Sequence, residues 1–162
     1  MYVSTIDKES LIDLSCDLSE KYHVLHRELW NRVIYKLINY ELNETILDLE
    51  SLKLECIVNM YNDSLINTRE FNRVRVNNYC FACMYQSMLC DHYSTENGCE
   101  LCPITWSREV EYSSTPCCNE DSIYKKLKTM LNIRCLKTES HRNIAIGLAT
   151  RIKEIEWMET DA

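Results

Sequence analysis

The chain has 162 residues, 46% of them hydrophobic and 27% charged, with 10 cysteines, 2 glycines, 2 prolines and a formal net charge of −7. This composition is typical of a folded domain, argues against a turn-rich β-sandwich or barrel, and leaves only Gly98 and Gly147, too few for a Walker or Rossmann phosphate loop. The negative charge argues against a default nucleic-acid-binding protein, because phosphate contacts need lysine and arginine.

The first part of the chain, residues 1–70, is predicted to be helical and acidic. Apolar residues recur at spacings of three and four between positions 11 and 37, which is typical of a helix with one buried face. A second helix is predicted over about residues 45–61, and the two helices are expected to form a hairpin. With 7 basic and 13 acidic residues, this part carries a net charge of −6.

The start of the sequence bears on the cellular compartment. It lacks the basic and apolar regions of a signal peptide, and no segment has the roughly 18 uncharged apolar residues that a membrane span needs. We therefore expect a cytoplasmic protein without a membrane partner. In a reducing cytosol, cysteines serve more often as thiols and metal ligands than as disulfides.

The middle part, residues 71–118, contains the strongest motif. Cys80 and Cys83 form one C-x2-C pair, and Cys99 and Cys102 form a second pair after fifteen intervening residues. Each pair brings two thiolates to one ion, and two pairs complete the tetrahedron that Zn²⁺ prefers, without an open position for catalysis. We therefore predict a structural zinc knuckle, against the alternatives of an iron–sulfur cluster on the same ligands, two redox pairs or coincidence.

The other cysteines are less informative. Cys90, His92, Cys117 and Cys118 either form a second metal site or are buried or idle groups, and the latter reading is favoured because adjacent cysteines point in different directions. Three further cysteines lie within helical patterns and are predicted to be small core residues: Cys16, Cys56 and Cys135. A short strand is predicted over residues 71–76 from an alternation of period two.

The last part, residues 119–162, is predicted to contain two helices. The first is expected to begin near Asn119, and the second at Thr138 or Ser140. Between positions 122 and 153 there are eight basic residues against Glu139 alone, with Tyr124 as a neighbouring aromatic. The residues that a nucleic-acid-binding alternative would use are Lys125, Lys126, Lys128, Arg134, Lys137 and Arg142.

No catalytic motif accompanies these features. His26 and Glu28 match only the first half of a zinc deaminase signature, since no proline precedes either C-x2-C pair. His26 stands one turn before Trp30 and is predicted to pack against it as a core histidine. The remaining carboxylates have helical spacings that predict solvated faces. We therefore expect a protein that is not an enzyme.

Three stretches resemble small uncharacterised phage and prophage zinc-knuckle proteins. They are an L-H-x-x-L-W helix at residues 25–30, a C-F-x-C motif at 80–83 and a C-x-x-C-P-x-x-W motif at 99–106, followed by a closing helical segment with Trp157. The extra helical stretch at about residues 43–65 departs from that pattern. The resemblance implies a phage origin, a location in the host cytosol and a zinc knuckle packed on helices, but no catalytic residue.

The expected fold is therefore a single mainly α domain, residues 1–162, in which an N-terminal helical hairpin and C-terminal helices pack around a four-cysteine zinc knuckle, with at most a short β element. Trp30, Trp106 and Trp157 are expected to shield the knuckle. The favoured function is binding and modulation of a host protein, for example inhibition of a defence enzyme. Nucleic-acid binding is the alternative, although four thiolates with one Zn²⁺ would bring the charge to about −9. A third hypothesis, a sponge for a small nucleotide signal, requires an oligomeric pocket.

Overall fold

A computed structural model describes about half of the chain, and this half is mainly helical, as predicted. The described residues are 18–39, 49–67, 81–82, 85, 103–104, 122–132 and 136–157. Four helices lie within them: α1 (Leu18–Ile38), α2 (Leu49–Asn62), α3 (Ile123–Asn132) and α4 (Glu139–Glu154). The predicted strand at 71–76 and the predicted cap Asn119 lie outside the described residues.

Helix α1 is the central element, because it packs against both α2 and α4, and α4 also packs against α3. Leu25, Leu29, Val33 and Leu37 follow the predicted spacing of three and four, and all are buried. On α4, Ala145 and Ala149 stand one turn apart and are fully buried. Their small side chains let neighbouring elements come close to this helix.

Two hydrophobic clusters share α1. The α2-side cluster consists of Tyr22, Leu25, Leu29, Cys56, Ile57, Met60, Leu65, Ile66, Phe81 and Tyr85. The α4-side cluster consists of Trp30, Val33, Leu37, Ala82, Ile104, Tyr124, Leu127, Leu131, Leu136, Ala145, Ala149 and Ile152. Trp157, just beyond α4, packs against both clusters.

Local hydrogen bonds define the helix ends. The hydroxyl of Thr138 accepts a hydrogen bond from the backbone N–H of His141 (3.2 Å), which confirms Thr138 as the predicted cap of α4. Ser122 plays a similar part before α3, where its hydroxyl accepts from the N–H of Tyr124. Helix α3 thus begins at Ile123.

The end of α2 is a Schellman turn. The backbone N–H of Leu65 donates to the carbonyl of Met60 (2.8 Å), and that of Ser64 donates to the carbonyl of Tyr61 (3.0 Å). Ser64 has a φ of 60°, in the left-handed region that favours glycine. The turn directs Leu65 and Ile66 back into the α2-side cluster.

Candidate metal centre

The predicted metal ligands themselves lie outside the described residues. These are Cys80, Cys83, Cys99 and Cys102, together with the second set Cys90, His92, Cys117 and Cys118. Within the described part of the chain, no group of three or more histidines, cysteines or carboxylates is placed to hold a metal ion. The structure does describe immediate neighbours of both C-x2-C pairs, namely residues 81–82 and 85 for the first pair and 103–104 for the second.

The neighbours of the first pair are buried against α1. Phe81 and Ala82 stand between the two cysteines of that pair, and Tyr85 follows it by two residues. The ring centroid of Tyr22 lies 6.2 Å from that of Phe81 and 5.7 Å from that of Tyr85. Ala82 belongs to the α4-side cluster, so the two residues between the cysteines contribute to different clusters.

The neighbours of the second pair are buried as well. Pro103 and Ile104 directly follow Cys102, and both are buried. Ile104 forms an isolated antiparallel β-bridge with Trp157, the one β interaction among the described residues. Ile104 is also part of the α4-side cluster, which includes Ala82 from the first pair.

Trp157 contacts the neighbours of both cysteine pairs and helix α1. Its ring centroid lies 5.8 Å from that of Tyr85, while its backbone pairs with Ile104. The indole N–H donates a hydrogen bond to the hydroxyl of Ser19 on α1 (3.0 Å). On the other side the imidazole of His23 stacks at 5.2 Å and an interplanar angle of 11°. One residue near the end of the chain thus contacts α1 and the neighbours of both cysteine pairs.

His26 is a core histidine, as predicted from its place on α1. It is fully buried, its ring lies edge-on to Trp30 at 6.3 Å, and its Nε2–H donates to the carbonyl of Ile152 (3.2 Å). Its Nδ1 atom has no hydrogen-bond partner among the described residues. Burial lowers its pKa to about 4 from the usual 6.5, so the neutral imidazole joins α1 to the end of α4.

Glu28 is a buried carboxylate, which the sequence did not predict. Only 1% of its surface is exposed, and its Oε1 atom accepts a hydrogen bond from Nε of Arg32 at 3.2 Å, one turn along α1. The half deaminase signature formed by His26 and Glu28 therefore consists of two buried side chains held by other groups of the protein. Helical spacing alone had not distinguished this carboxylate from its exposed counterparts.

Cys56 confirms the prediction of a small core residue. Its thiol is buried in the α2-side cluster, 4.0 Å from the sulfur of Met60. Burial raises the pKa of the Cys56 thiol to about 12, so it stays protonated at neutral pH and is poorly suited to nucleophilic chemistry. Cys16 and Cys135 lie outside the described residues.

The basic residues of the nucleic-acid-binding alternative are partly described. On α3, Lys126 is exposed and Lys125 and Lys128 are half-buried, and Lys125 and Lys126 line a surface depression of about 400 Å³. Lys137 is exposed, Arg142 is half-buried, and Arg134 lies outside the described residues.

Tyr124 was expected to add an aromatic side chain to this basic region, and that expectation is wrong. The residue is 2% exposed and packs edge-on against Trp30 at 6.3 Å. Because its ring forms part of the core, it is not available for stacking on a base.

Comparisons with protein families, with characterised proteins and with solved structures found no match. Among the described helices, none is both long enough and apolar enough to cross a membrane.

Proposed function

We propose that this chain is a non-enzymatic, structural zinc-binding protein that binds a host protein and modulates it, as its resemblance to phage zinc-knuckle proteins implies. One observation carries the metal part of this proposal. Tyr85, two residues after the first C-x2-C pair, and Ile104, two residues after the second, both contact Trp157.

The short length of chain between each cysteine pair and the residue that contacts Trp157 makes this observation informative. Cys83 and Cys102 each stand two residues before a residue that contacts Trp157, and two residues of extended backbone span at most about 7 Å. This short separation supports the proposal that the two C-x2-C pairs supply the four thiolates of one tetrahedral Zn²⁺ site. Without a metal, this cysteine-rich segment would depend on few apolar residues, so the ion would contribute folding free energy directly.

The described chemistry supports a structural rather than a catalytic role for this region. His26 donates to a backbone carbonyl and has a pKa of about 4, and Cys56 has a pKa of about 12. Glu28 is buried and accepts a hydrogen bond from Arg32. Neither His26 nor Cys56 is therefore suited to proton transfer or nucleophilic attack near neutral pH, and Glu28 is already paired.

The outer face of α2 supports the binding part of the proposal. Leu54 and Tyr61 stand seven residues apart on one side of the helix, with half-buried Val58 between them, and Leu54 is 54% exposed. An apolar stripe at this spacing is the arrangement by which helices anchor in partner proteins. The acidic charge of residues 1–70, −6 in total, favours a partner with a basic surface.

Metal analysis tests the first half of the proposal. Elemental analysis of freshly purified protein is expected to give about one zinc per chain, and about two if Cys90, His92, Cys117 and Cys118 form a second site. Cys80→Ser and Cys102→Ser are expected to lower both the zinc content and the melting temperature. Cys56→Ala is the matched control, because it removes a buried thiol but leaves the zinc content unchanged. Metal-free protein, or a brown iron-containing one, would contradict the zinc assignment.

A capture experiment from host lysate tests the second half. The wild type is expected to retain a basic host protein, less of it at higher salt, and Leu54→Ser is expected to retain less than the wild type. Ile144→Ser is the control, since Ile144 is similarly exposed (53%) but lies on α4. Equal capture by both variants, or a captured protein that is acidic, would argue against the proposed surface.

Nucleic-acid binding remains the second candidate, because Lys125 and Lys126 line a depression on α3. If it is correct, fluorescence anisotropy will show DNA or RNA binding that weakens with salt and is lost when Lys125, Lys126 and Lys128 are changed to Glu. No binding at high micromolar protein would eliminate this candidate.

A further inference from the structure

A cleft lies between α1 and α2, and none of its described lining residues belongs to the aromatic group around Trp157. Its volume is about 380 Å³, within the range of small-molecule sites. The α1 wall carries Arg32, Tyr35 and Lys36, and the α2 wall carries Leu52, Glu55, Cys56 and Asn59. On α1, Tyr35 and Lys36 follow Arg32 by three and four positions, and on α2 the other three residues follow Leu52 by three, four and seven, so each wall is one continuous helical face.

A buried carboxylate orients the arginine of the α1 wall. Glu28, whose side chain is fully buried, accepts a hydrogen bond from Nε of Arg32 at 3.2 Å. A guanidinium has five N–H donors in a fixed plane, so fixing the Nε edge also orients the rest of the group. Burying a carboxylate is costly unless it is paired, and here the pairing orients a cation that lines the cleft. Glu28 thus acts as a positioning residue for Arg32.

The remaining side chains define the chemistry of a ligand. Lys36 adds a second positive charge one turn after Arg32, and two cations at this spacing match a phosphate better than a single carboxylate. The phenol of Tyr35 and the amide of Asn59 offer hydrogen-bonding groups, and Glu55 can accept from an N–H or O–H of the ligand. Leu52 and the thiol of Cys56, which is protonated at neutral pH, provide an apolar surface.

We propose that this cleft binds a small organic phosphate of about the size of a nucleoside monophosphate. The phosphate would lie against Arg32 and Lys36, and the organic part would lie against Tyr35, Leu52 and Asn59. This site lies within one chain and does not depend on the metal or on a host protein. It therefore adds a small-molecule site to the proposed binding function.

Isothermal titration calorimetry on the full chain tests the proposal with three probes: adenosine 5′-monophosphate, inorganic phosphate and adenosine. We expect the monophosphate to bind most tightly, because it alone uses both the cationic and the organic parts of the cleft. Its affinity is expected to fall with added salt. No binding of the monophosphate at millimolar concentration, or binding no tighter than that of inorganic phosphate or of adenosine, would overturn the proposal.

Variants locate the binding. Arg32→Gln and Lys36→Gln are each expected to weaken the monophosphate about tenfold, or about 1.4 kcal/mol. Lys126→Gln, on α3, is the matched control and is expected to bind as the wild type does. Lys36 is exposed, so its variant is expected to fold even if Arg32→Gln, which disturbs the partner of a buried carboxylate, does not. Unchanged affinity in Lys36→Gln would refute the assignment.

The same Lys36→Gln protein separates this inference from the proposed function. Its zinc content and its capture of a host protein are expected to match the wild type, because Lys36 is remote from Trp157 and from the outer stripe of α2. Loss of monophosphate binding with both properties retained would support a separate site. Loss of zinc or of host-protein capture in this variant would contradict the proposal that the cleft is independent of the metal and of the host protein.

Discussion

Replacing His26 with leucine tests whether one buried imidazole makes the protein sensitive to acid. In the folded chain the His26 pKa is about 4, whereas an unfolded chain gives it the usual 6.5. Burial is the largest cause on the folded side, because it disfavours the imidazolium, and like-charge repulsion from His23 and Arg27 adds smaller contributions that also lower the pKa. The hydrogen bond to the Ile152 carbonyl acts in the opposite direction but is weaker.

The sign and size of the effect of pH on stability follow from proton linkage. Between the two pKa values the unfolded chain binds more protons than the folded one, so stability falls as pH falls. The contribution of His26 is complete above pH 6.5 and is lost progressively down to about pH 4. The difference between the unfolded-state and folded-state pKa of His26 corresponds to about 3 kcal/mol in the free energy of unfolding. Half-buried His23 has a pKa lowered in the same direction, by burial first and by Arg27 second, but it is present in both proteins.

Urea unfolding of wild type and His26→Leu over this pH interval isolates the effect. Near pH 7 the variant is expected to be less stable by about 1–2 kcal/mol, because the Ile152 carbonyl loses its donor. Near pH 4 that deficit is expected to disappear or reverse, since the variant has no imidazole to protonate. Zinc content is measured at each pH, because thiolates also bind protons in acid. Stability curves that remain parallel throughout would refute a buried, neutral His26.

Two further substitutions test the packing. Trp157→Ala is expected to lower the free energy of unfolding in urea by about 2–3 kcal/mol. Trp157→Phe is expected to lower it by about 1 kcal/mol, because phenylalanine keeps the ring contacts but loses the hydrogen bond to Ser19. Equal losses would mean that the ring contacts contribute little. Ser64→Gly is expected to raise the free energy of unfolding by about 0.5–1 kcal/mol, because Ser64 has a φ of 60°. Ser64→Ala, which keeps the Cβ, is the control, and a gain of the same size there would contradict the backbone explanation.

The helices could be predicted from the sequence because their signals are local. The spacing of Leu25, Leu29, Val33 and Leu37 predicted the buried face of α1, and Thr138 was recognised as a cap from its residue type and position. Such patterns show which face of a helix is buried, but not what it is buried against.

The contacts around Trp157 concern what a helix face is buried against, which local patterns do not show. His26 and Ile152 are 126 residues apart, and Trp157 and Ser19 are 138 apart, so no local pattern connects them. The same limit explains why the burial of Glu28 was not predicted, since Glu28 looks like any surface carboxylate until the partner elements of α1 are known.

The two clusters on α1 also predict how loss of metal would spread through the molecule. Phe81 and Tyr85 belong to the α2-side cluster, whereas the packing of α3 on α4 belongs to the α4-side cluster, to which the cysteine-rich segment contributes Ala82 and Ile104. Removal of the proposed zinc ion would therefore weaken the α2-side cluster through two large aromatic side chains, and the other cluster through two smaller residues. Because Trp157 packs against both, its environment would change first. We therefore expect a chelator to alter tryptophan fluorescence before it reduces the helical circular dichroism.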